Sequence, residues 1–324
     1  MANLDPIPAR FAQPSWLRHP PHLWRPGTLD RVALLEEADR LQRAGGIEAI
    51  CKIFAGNLLT SYENNRELNK TIRKAVRFAL IVFVMYLHHY RGRGEPGVTY
   101  TRLREIYARG STTGVMATPT RIKAMLGLAQ KLGQLRPASA GTDRRVRIFE
   151  PTEKLTGPVM IWLRAFLEAV AHAVPLARPV ETMLAQPDFF AELFSYNALA
   201  YMHDRFVLYE SFPEIGFIMS RENGYITLRE ILRTLEQADG VWRAKAPYVE
   251  LERRFHMSRG TVRNLVAESE RRGWLREEKQ GGQALVVSDA FVTMCQRWVA
   301  LEIVWMAGLA NAAAVRVSDA QWAR

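Results

Sequence analysis

Apolar residues recur at helical spacing along most of the chain, and the pattern is clearest between Thr118 and Gly133. There the apolar residues recur three and four positions apart, which places them on one face of a helix and leaves the basic residues on the other. Thr118 can cap the first free amides, and Pro119 suits the first helical position because it lacks an N–H group. Two short alternating stretches follow, separated by the basic turn 141–145. This region predicts a helix followed by a two-stranded hairpin.

The same spacing predicts helices over most of the remaining chain, at 30–42, 47–62, 68–90, 100–107, 152–172, 189–209, 227–238, 247–255, 258–272 and 289–314. A second hairpin pattern lies at 275–287. A proline-rich arm occupies 1–27, and a stretch with three prolines and no clear periodicity, 174–188, separates the two halves. We therefore predict a mainly α-helical fold with small β-hairpins, divided into the arm, a first module at 28–175 and a second module at 188–324.

The second half repeats the first at a distance of 140 residues. Residues 117–136 align with 257–276 without a gap, and three of the twenty positions are identical. In each copy a short helix precedes this segment, and a hairpin and a long helix follow it. A helix pair followed by a hairpin is the pattern of a winged helix-turn-helix. We therefore predict two such modules in tandem, joined and flanked by long helices.

The charge of the chain favours an anionic partner. The formal net charge is +11 and the pI is near 9.9. Nucleic acid leads the candidate partners, an anionic membrane surface comes second, and the alternative is a basic protein whose charges are only solvated. Residues 99–147 hold ten basic and two acidic residues, whereas residues 247–287 hold eight and six. The first copy should therefore supply most of the electrostatic affinity for a phosphate backbone.

Both copies place polar side chains where they could reach base edges or phosphates. In the second copy these residues are Arg259, Thr261, Arg263 and Asn264. In the first copy Arg121 and Lys123 lie off the apolar stripe of the helix. The hairpin adds Arg144 and Arg145 at its tip, and Arg147 on the strand that follows. We predict that these side chains contact double-stranded DNA.

The strongest local motif is Asp143-Arg144-Arg145 followed by Pro151-Thr152-Glu153-Lys154. With this motif the chain resembles the MarR family of winged-helix transcription regulators, whose wing has an arginine tip and leads into a helix. The resemblance implies that Arg145 contacts the minor groove. It also implies the recognition residues, which would be Thr118, Thr120, Arg121 and Lys123 in the first copy and Ser258, Arg259, Thr261 and Arg263 in the second.

Two features depart from that family. Its members are usually single modules that pair as homodimers through terminal helices, whereas the duplication here would supply two modules in one chain. A homodimer through the terminal helices is the alternative. The second hairpin tip, 280–283, has no Asp-x-Arg and no charged residue.

Signatures of catalysis or of a cofactor are weak throughout the sequence. Cys51 and Cys295 have neither metal-ligand spacing nor a disulfide framework, which is typical of buried thiols in a reducing compartment. The string 92–97 matches a dinucleotide fingerprint, but it follows a predicted helix and contains a proline, so we interpret it as a linker. The pairs 88–89 and 203–204 have no nearby nucleophile or metal-ligand pattern. We expect no enzymatic activity, no cofactor and no metal.

Two apolar stretches bear on membrane insertion. Residues 78–87 are too few to span a bilayer, and residues 298–315 are interrupted by Glu302 and Asn311. We expect the second stretch to be a buried core or dimerisation helix. The arm lacks an uninterrupted apolar core of signal-peptide kind, so we expect no membrane span and a cytoplasmic location.

Aromatic residues are dense between positions 189 and 217. Ordinary packing between the modules explains them, and the alternative is a crevice for a small apolar or phenolic effector.

The preferred function is a DNA-binding transcriptional regulator. The alternatives are a non-catalytic protein-interaction scaffold and a tandem winged-helix replication initiator.

Overall fold

The described part of the chain is mainly helical. The computed structural model describes residues 27, 29–63, 69, 74–109, 117–138 and 147–322, with side chains to 317. Its first half contains α1 (Arg31–Arg43), α2 (Ile47–Tyr62), α3 (Ala75–His89), β1 (Val98–Thr99), α4 (Tyr100–Ala108), α5 (Pro119–Lys131), β2 (Leu135–Pro137), β3 (Ile148–Pro151) and α6 (Glu153–Ala173). Its second half contains α7 (Val180–Leu184), α8 (Phe189–Asp204), α9 (Pro213–Ser220), α10 (Gly224–Arg233), β4 (Glu236–Ala238), β5 (Val241–Ala244), α11 (Tyr248–Phe255), α12 (Arg259–Arg271), β6 (Leu275–Lys279), β7 (Ala284–Val287) and α13 (Asp289–Trp322).

One hydrophobic core holds both halves together. At its centre is α13, which packs against α1, α2, α6 and α8 and is buried from Trp298 to Ala314. Helices of the first half also contact helices of the second, since α3 packs against α8 and α2 packs against α10. The apolar pattern of α3 predicted burial on all sides, and ten of its fifteen residues are buried.

By length and composition alone, Asp289–Val317 of α13 could cross a membrane. In the protein, 94% of its most apolar window is buried, and Glu302 and Asn311 are enclosed with it. The prediction of a buried core helix is confirmed. The helix extends to Trp322 rather than ending near Ala314.

The local structure repeats at the predicted spacing of 140 residues. Helices α5 and α12 each have thirteen residues and begin at positions 119 and 259. Before them, the hydroxyls of Thr118 and Ser258 each accept a hydrogen bond of 3.3 Å from the N–H group of the third residue along. After them, Gly133 and Gly273 adopt left-handed φ values of +68° and +71°, which glycine takes without steric cost.

Each half contains a small antiparallel sheet with the same connections. The strand order is β1-β3-β2 in the first sheet and β4-β5-β7-β6 in the second. Strands β1 and β5 pair with the strand that leads into the closing helix, through Val98 with Phe149 and Ala244 with Leu285. Each half therefore runs helix, strand, helix, helix, strand, strand, helix, and the second half adds β4 at the sheet edge.

The predicted helix 227–238 is wrong over its second part. Helix α10 ends earlier, and residues 236–244 form the hairpin of β4 and β5. At its turn Asp239 and Gly240 have φ values of +53° and +74°, the conformation of a two-residue hairpin turn. The Asp-Gly pair therefore outweighed the helical spacing of the apolar residues.

The predicted helix 189–209 is also too long. Helix α8 ends at Asp204, because Arg205 adopts a left-handed φ of +50°. The chain then leads into α9, which the pattern did not predict, and the stretch 174–188 contains the short helix α7. Most of the predicted arm and the predicted helix start at 68 lie outside the described residues.

Candidate nucleic-acid interface

The polar face of α5 lies on the protein surface. Four apolar residues of the helix are buried, which turns its opposite side toward solvent. The predicted contact residues on that side are all exposed: Thr118, Thr120, Arg121 and Lys123. Because the Thr118 hydroxyl already accepts the capping hydrogen bond, the cations of Arg121 and Lys123 are the groups most available to a ligand.

Lys123 of α5 and Arg147, directly before β3, line one groove. The groove has a volume of ≈ 630 Å³ and is bounded by α4, α5 and β3. Lys123 Nζ lies 5.1 Å from the centre of the Tyr100 ring, and the guanidinium carbon of Arg147 lies 5.4 Å from that of Phe149. Each cation is attracted by its ring, which positions it at the groove. The fold thus brings a helix residue and a residue beside the wing strand, which are distant in sequence, to the same groove.

The tip of the first hairpin lies outside the described residues. Arg144 and Arg145, which were predicted at this tip, fall within 139–146. The flanking strands are paired, and Arg136 Nε donates to Glu150 Oε1 at 2.7 Å across them. Arg147 is the described basic residue that follows the tip.

Arg102 and Glu105 of α4 also line the groove, and Arg102 forms ion pairs there. Its Nε and Nη2 donate to the two carboxylate oxygens of Glu95, both at 2.7 Å, and its Nη1 donates to Glu105 at 3.1 Å. Burial opposes charge on Glu95, but hydrogen bonds from Arg102 and Tyr86 hold the pKa of its carboxyl below the ordinary value. The sequence does not predict this pair, because Glu95 lies in the segment 92–97, whose pattern indicates a linker.

The equivalent face of α12 has fewer basic side chains available to a ligand than the face of α5. Its predicted contact residues are exposed, except Thr261, which is half-buried: Ser258, Arg259, Thr261, Arg263 and Asn264. The Arg259 guanidinium forms an ion pair with Glu252 of α11, so its charge already has a partner. Ser258 caps the helix with its hydroxyl. Arg263 and Asn264 therefore retain the most available polar groups in this copy.

The second hairpin tip is folded back onto α11. The Gly282 N–H and the Tyr248 hydroxyl both donate to Glu277 Oε1 at 2.8 Å, and the Ala246 N–H donates to the Gly282 carbonyl at 2.8 Å. Gly282 has a φ of +71°, and a Cβ at this position would overlap the Ala246 carbonyl oxygen. The tip therefore combines a fixed backbone with a sequence that has no basic side chain.

Two polar pairs that could have indicated catalysis have structural partners. The Asp204 carboxylate accepts hydrogen bonds from the N–H groups of Gly27 and Leu29, at 3.0 and 3.2 Å, which connects α8 to the start of α1. His89 Nε2 lies 3.2 Å from Glu192 Oε1, which connects α3 to α8. Within the described residues, no three His, Cys, Asp or Glu side chains are grouped closely enough to hold a metal ion.

The predicted aromatic region borders an internal cavity. The cavity has a volume of ≈ 170 Å³ and lies among α2, α3, α6, α8, α10 and α13. Four aromatic residues of the 189–217 region line it: Phe194, Tyr201, Phe206 and Tyr209.

Comparison with known proteins finds no match: no family model, no curated protein and no solved structure is similar enough to this chain to indicate a relative. The similarity to the MarR family stays a prediction from the sequence.

Proposed function

We propose that the protein is a DNA-binding transcriptional regulator that holds duplex DNA through two winged helix-turn-helix modules, principally the first. The order of elements in each half supports this. Helices α4 and α5, and likewise α11 and α12, would form the helix pair, and β2–β3 and β6–β7 would form the wings. Helices α5 and α12 would enter the major groove, since their apolar faces are buried and their polar faces are exposed.

The groove that Lys123 and Arg147 share is the observation that carries the proposal. With one cation on the recognition helix and another beside the wing, a winged helix can contact base edges and the adjacent phosphates together. The ion pairs that described residues form in this region involve Arg102 and Arg136, and not Lys123 or Arg147. These two cations are therefore available to phosphate.

A shared core supports the use of both modules by one chain. The helices that close the two modules, α6 and α13, pack against each other. A single chain thereby supplies the two modules that a homodimer of single-module proteins would supply.

Fluorescence anisotropy with duplex DNA at several salt concentrations tests the proposal. The wild-type protein should bind below micromolar concentration in low salt, with log K falling linearly as log[salt] rises. Arg147→Ala should weaken binding and reduce the slope by about 0.9, the value for one phosphate contact. Lys52→Ala, which removes a cation on α2, should change neither quantity. The absence of saturable binding below micromolar concentration at low salt would overturn the proposal.

The second module favours one alternative function. Because Arg259 is paired with Glu252 and the hairpin tip is closed and uncharged, this module also suits contact with a protein. A non-catalytic interaction scaffold would bind no duplex DNA in the titration above.

A tandem winged-helix replication initiator would have the same fold and charge. Selection of bound fragments from genomic DNA separates this function from regulation. A regulator should select sites next to promoters, whereas an initiator should select repeated elements clustered in one region.

A further inference from the structure

The cavity beside Tyr201 has walls from both halves of the chain. Side chains of α2, α3 and α6 form one part of the wall, and side chains of α8, α10 and α13 form the other. The irregular segment 206–209 also lines it. Most of the deeply buried lining residues are aromatic or aliphatic, among them Phe83, Phe166, Leu193, Phe194, Tyr201 and Trp305, and the carboxylate residue Glu302 is buried with them.

The dimensions of the cavity suit an aromatic ring. Its volume is ≈ 170 Å³. An apolar protein cavity of about 150 Å³ is large enough to bind benzene. Several lining residues are half-buried, among them Asn197, Leu208 and Tyr209, so the cavity approaches the surface. One ring, or a compact pair of fused rings, can therefore be accommodated.

Two polar atoms of residues that line the cavity have no hydrogen-bond partner among the described residues, Trp162 Nε1 and the Tyr201 hydroxyl. Tyr201 is 4% exposed, and no described residue forms a hydrogen bond with its hydroxyl. Leaving a buried hydroxyl unpaired is unfavourable, so a molecule that bonds to it would gain affinity. Burial, with Tyr209 and Glu210 adding to it, raises the pKa of Tyr201 to about 12. The hydroxyl is thus neutral at pH 7 and can either donate or accept.

Among the described residues, the lining offers no free counter-ion to a charged ligand. Glu302 borders the cavity, but its carboxylate is paired with Arg229 inside the core. A charged molecule would therefore lose its hydration without gaining an opposite charge. The occupant that fits this lining is neutral.

We propose that this cavity binds a neutral aromatic molecule of one or two rings that carries a single hydrogen-bonding group. The ring lies among Phe83, Phe194 and Trp305, and the polar group bonds to the Tyr201 hydroxyl. Because both halves of the chain form the walls, binding stabilises their association and raises the melting temperature. Binding of this ligand does not depend on the proposed DNA binding.

Isothermal titration calorimetry with indole and indene tests the proposal, because the two probes have nearly the same shape and only indole carries an N–H donor. The wild-type protein should bind both with a stoichiometry of one. Tyr201→Phe should weaken indole binding roughly 3- to 10-fold, the effect of one neutral hydrogen bond, and leave indene binding unchanged. Thr60→Val, which removes an exposed hydroxyl on α2, should change neither affinity.

A second variant tests the location. Ala79 lines the cavity from α3, so Ala79→Leu should fill part of it and abolish the binding of both probes. Binding of neither probe by the wild-type protein, or wild-type affinity in a folded Ala79→Leu variant, would overturn the site. An unchanged indole affinity in Tyr201→Phe would overturn the role of the hydroxyl. Tyr201→Phe removes a group without a partner and should fold. Its indole affinity therefore tests the proposal even if Ala79→Leu does not fold.

Discussion

Arg229 of α10 and Glu302 of α13 form an ion pair inside the core, where their side chains are 0% and 5% exposed. The guanidinium carbon also lies 4.8, 4.6 and 4.4 Å from the ring centres of Phe54, Tyr225 and Trp298. These aromatic faces attract the part of the charge that the carboxylate does not contact. The ion pair links α10 to α13. Removing either partner would leave the other as an unpaired charge in the core.

Glu302→Gln should destabilise the protein by about 3–5 kcal/mol, because Arg229 would stay charged and buried without a counter-ion. The double variant Arg229→Met/Glu302→Leu should recover much of that loss, since apolar residues of similar volume suit the same space. Urea unfolding at pH 7 measures both free energies. Wild-type stability in Glu302→Gln would show that the aromatic rings alone compensate the charge.

Gly282→Ala should destabilise the second hairpin more than Gly281→Ala. Both glycines have left-handed φ values, +71° and +74°, so alanine is strained by about 1–2 kcal/mol at either position. A Cβ at 282 would in addition overlap the Ala246 carbonyl oxygen, whereas a Cβ at 281 would have nothing within 4 Å. The difference between the melting temperatures of the two variants measures the effect of the close approach between position 282 and the Ala246 carbonyl oxygen. Equal melting temperatures would mean that the tip is not packed onto α11.

Local patterns predicted the helices whose ends carry strong local signals. The caps at Thr118 and Ser258 and the glycines at 133 and 273 bounded α5 and α12 closely, because capping and left-handed glycine act between neighbouring residues. The pattern failed at 236–244, where pairing with the distant strand β7 helps to hold the hairpin. Helical spacing within one segment carries no information about such a partner.

The candidate site was predictable only in part. Periodicity placed Lys123 on an exposed face, as observed. The groove that Lys123 shares with Arg147 depends on how α4, α5 and β3 pack, and the pairing of Arg259 with Glu252 depends on the crossing of α11 and α12. Sequence spacing shows that a cation is exposed, but not whether a carboxylate from another helix lies beside it.

Glu95 should contribute to stability at neutral pH and lose that contribution in acid. Its folded-state pKa is below the ordinary value of 4.5, because hydrogen bonds from Arg102 and Tyr86 outweigh the effect of burial. A carboxyl with a lowered pKa stabilises the folded state at pH values above its unfolded pKa, and the stabilisation disappears as the pH falls through the folded pKa. Glu95→Gln should therefore be less stable than the wild type by about 2 kcal/mol at pH 7. That difference should shrink below pH 4.5.

Urea unfolding of both proteins between neutral and acidic pH measures this difference. Glu105→Gln is the matched control, because Glu105 binds the same Arg102 from an exposed position. It should change the free energy of unfolding by less than about 1 kcal/mol. A Glu95→Gln deficit that persists unchanged in acid would assign the effect to packing rather than to charge.

Glu252→Gln should tighten DNA binding if the second module contacts the duplex. The substitution releases the Arg259 guanidinium and removes a negative charge beside α12. Affinity at low salt should rise roughly fivefold, equivalent to about 1 kcal/mol, and the salt slope should steepen by up to about 0.9. Adding Arg259→Ala should remove the gain, whereas Glu48→Gln on α2 should have no effect. An unchanged affinity would show that the first module binds alone.

The protein should be a monomer, because α13 uses its apolar surface within its own chain. The residues from Trp298 to Ala314 are buried against α1, α2, α6 and α8, so this part of the helix has no surface left for a second copy. A stable dimer buries about 800 Å² on each partner. The exposed large apolar residues of the described chain, Val32, Ile161 and Val249, lie on three different helices. Sedimentation equilibrium should give a mass of 36.9 kDa across a wide concentration range. Twice that mass, falling on dilution, would mean that two chains pair through a surface other than this part of α13.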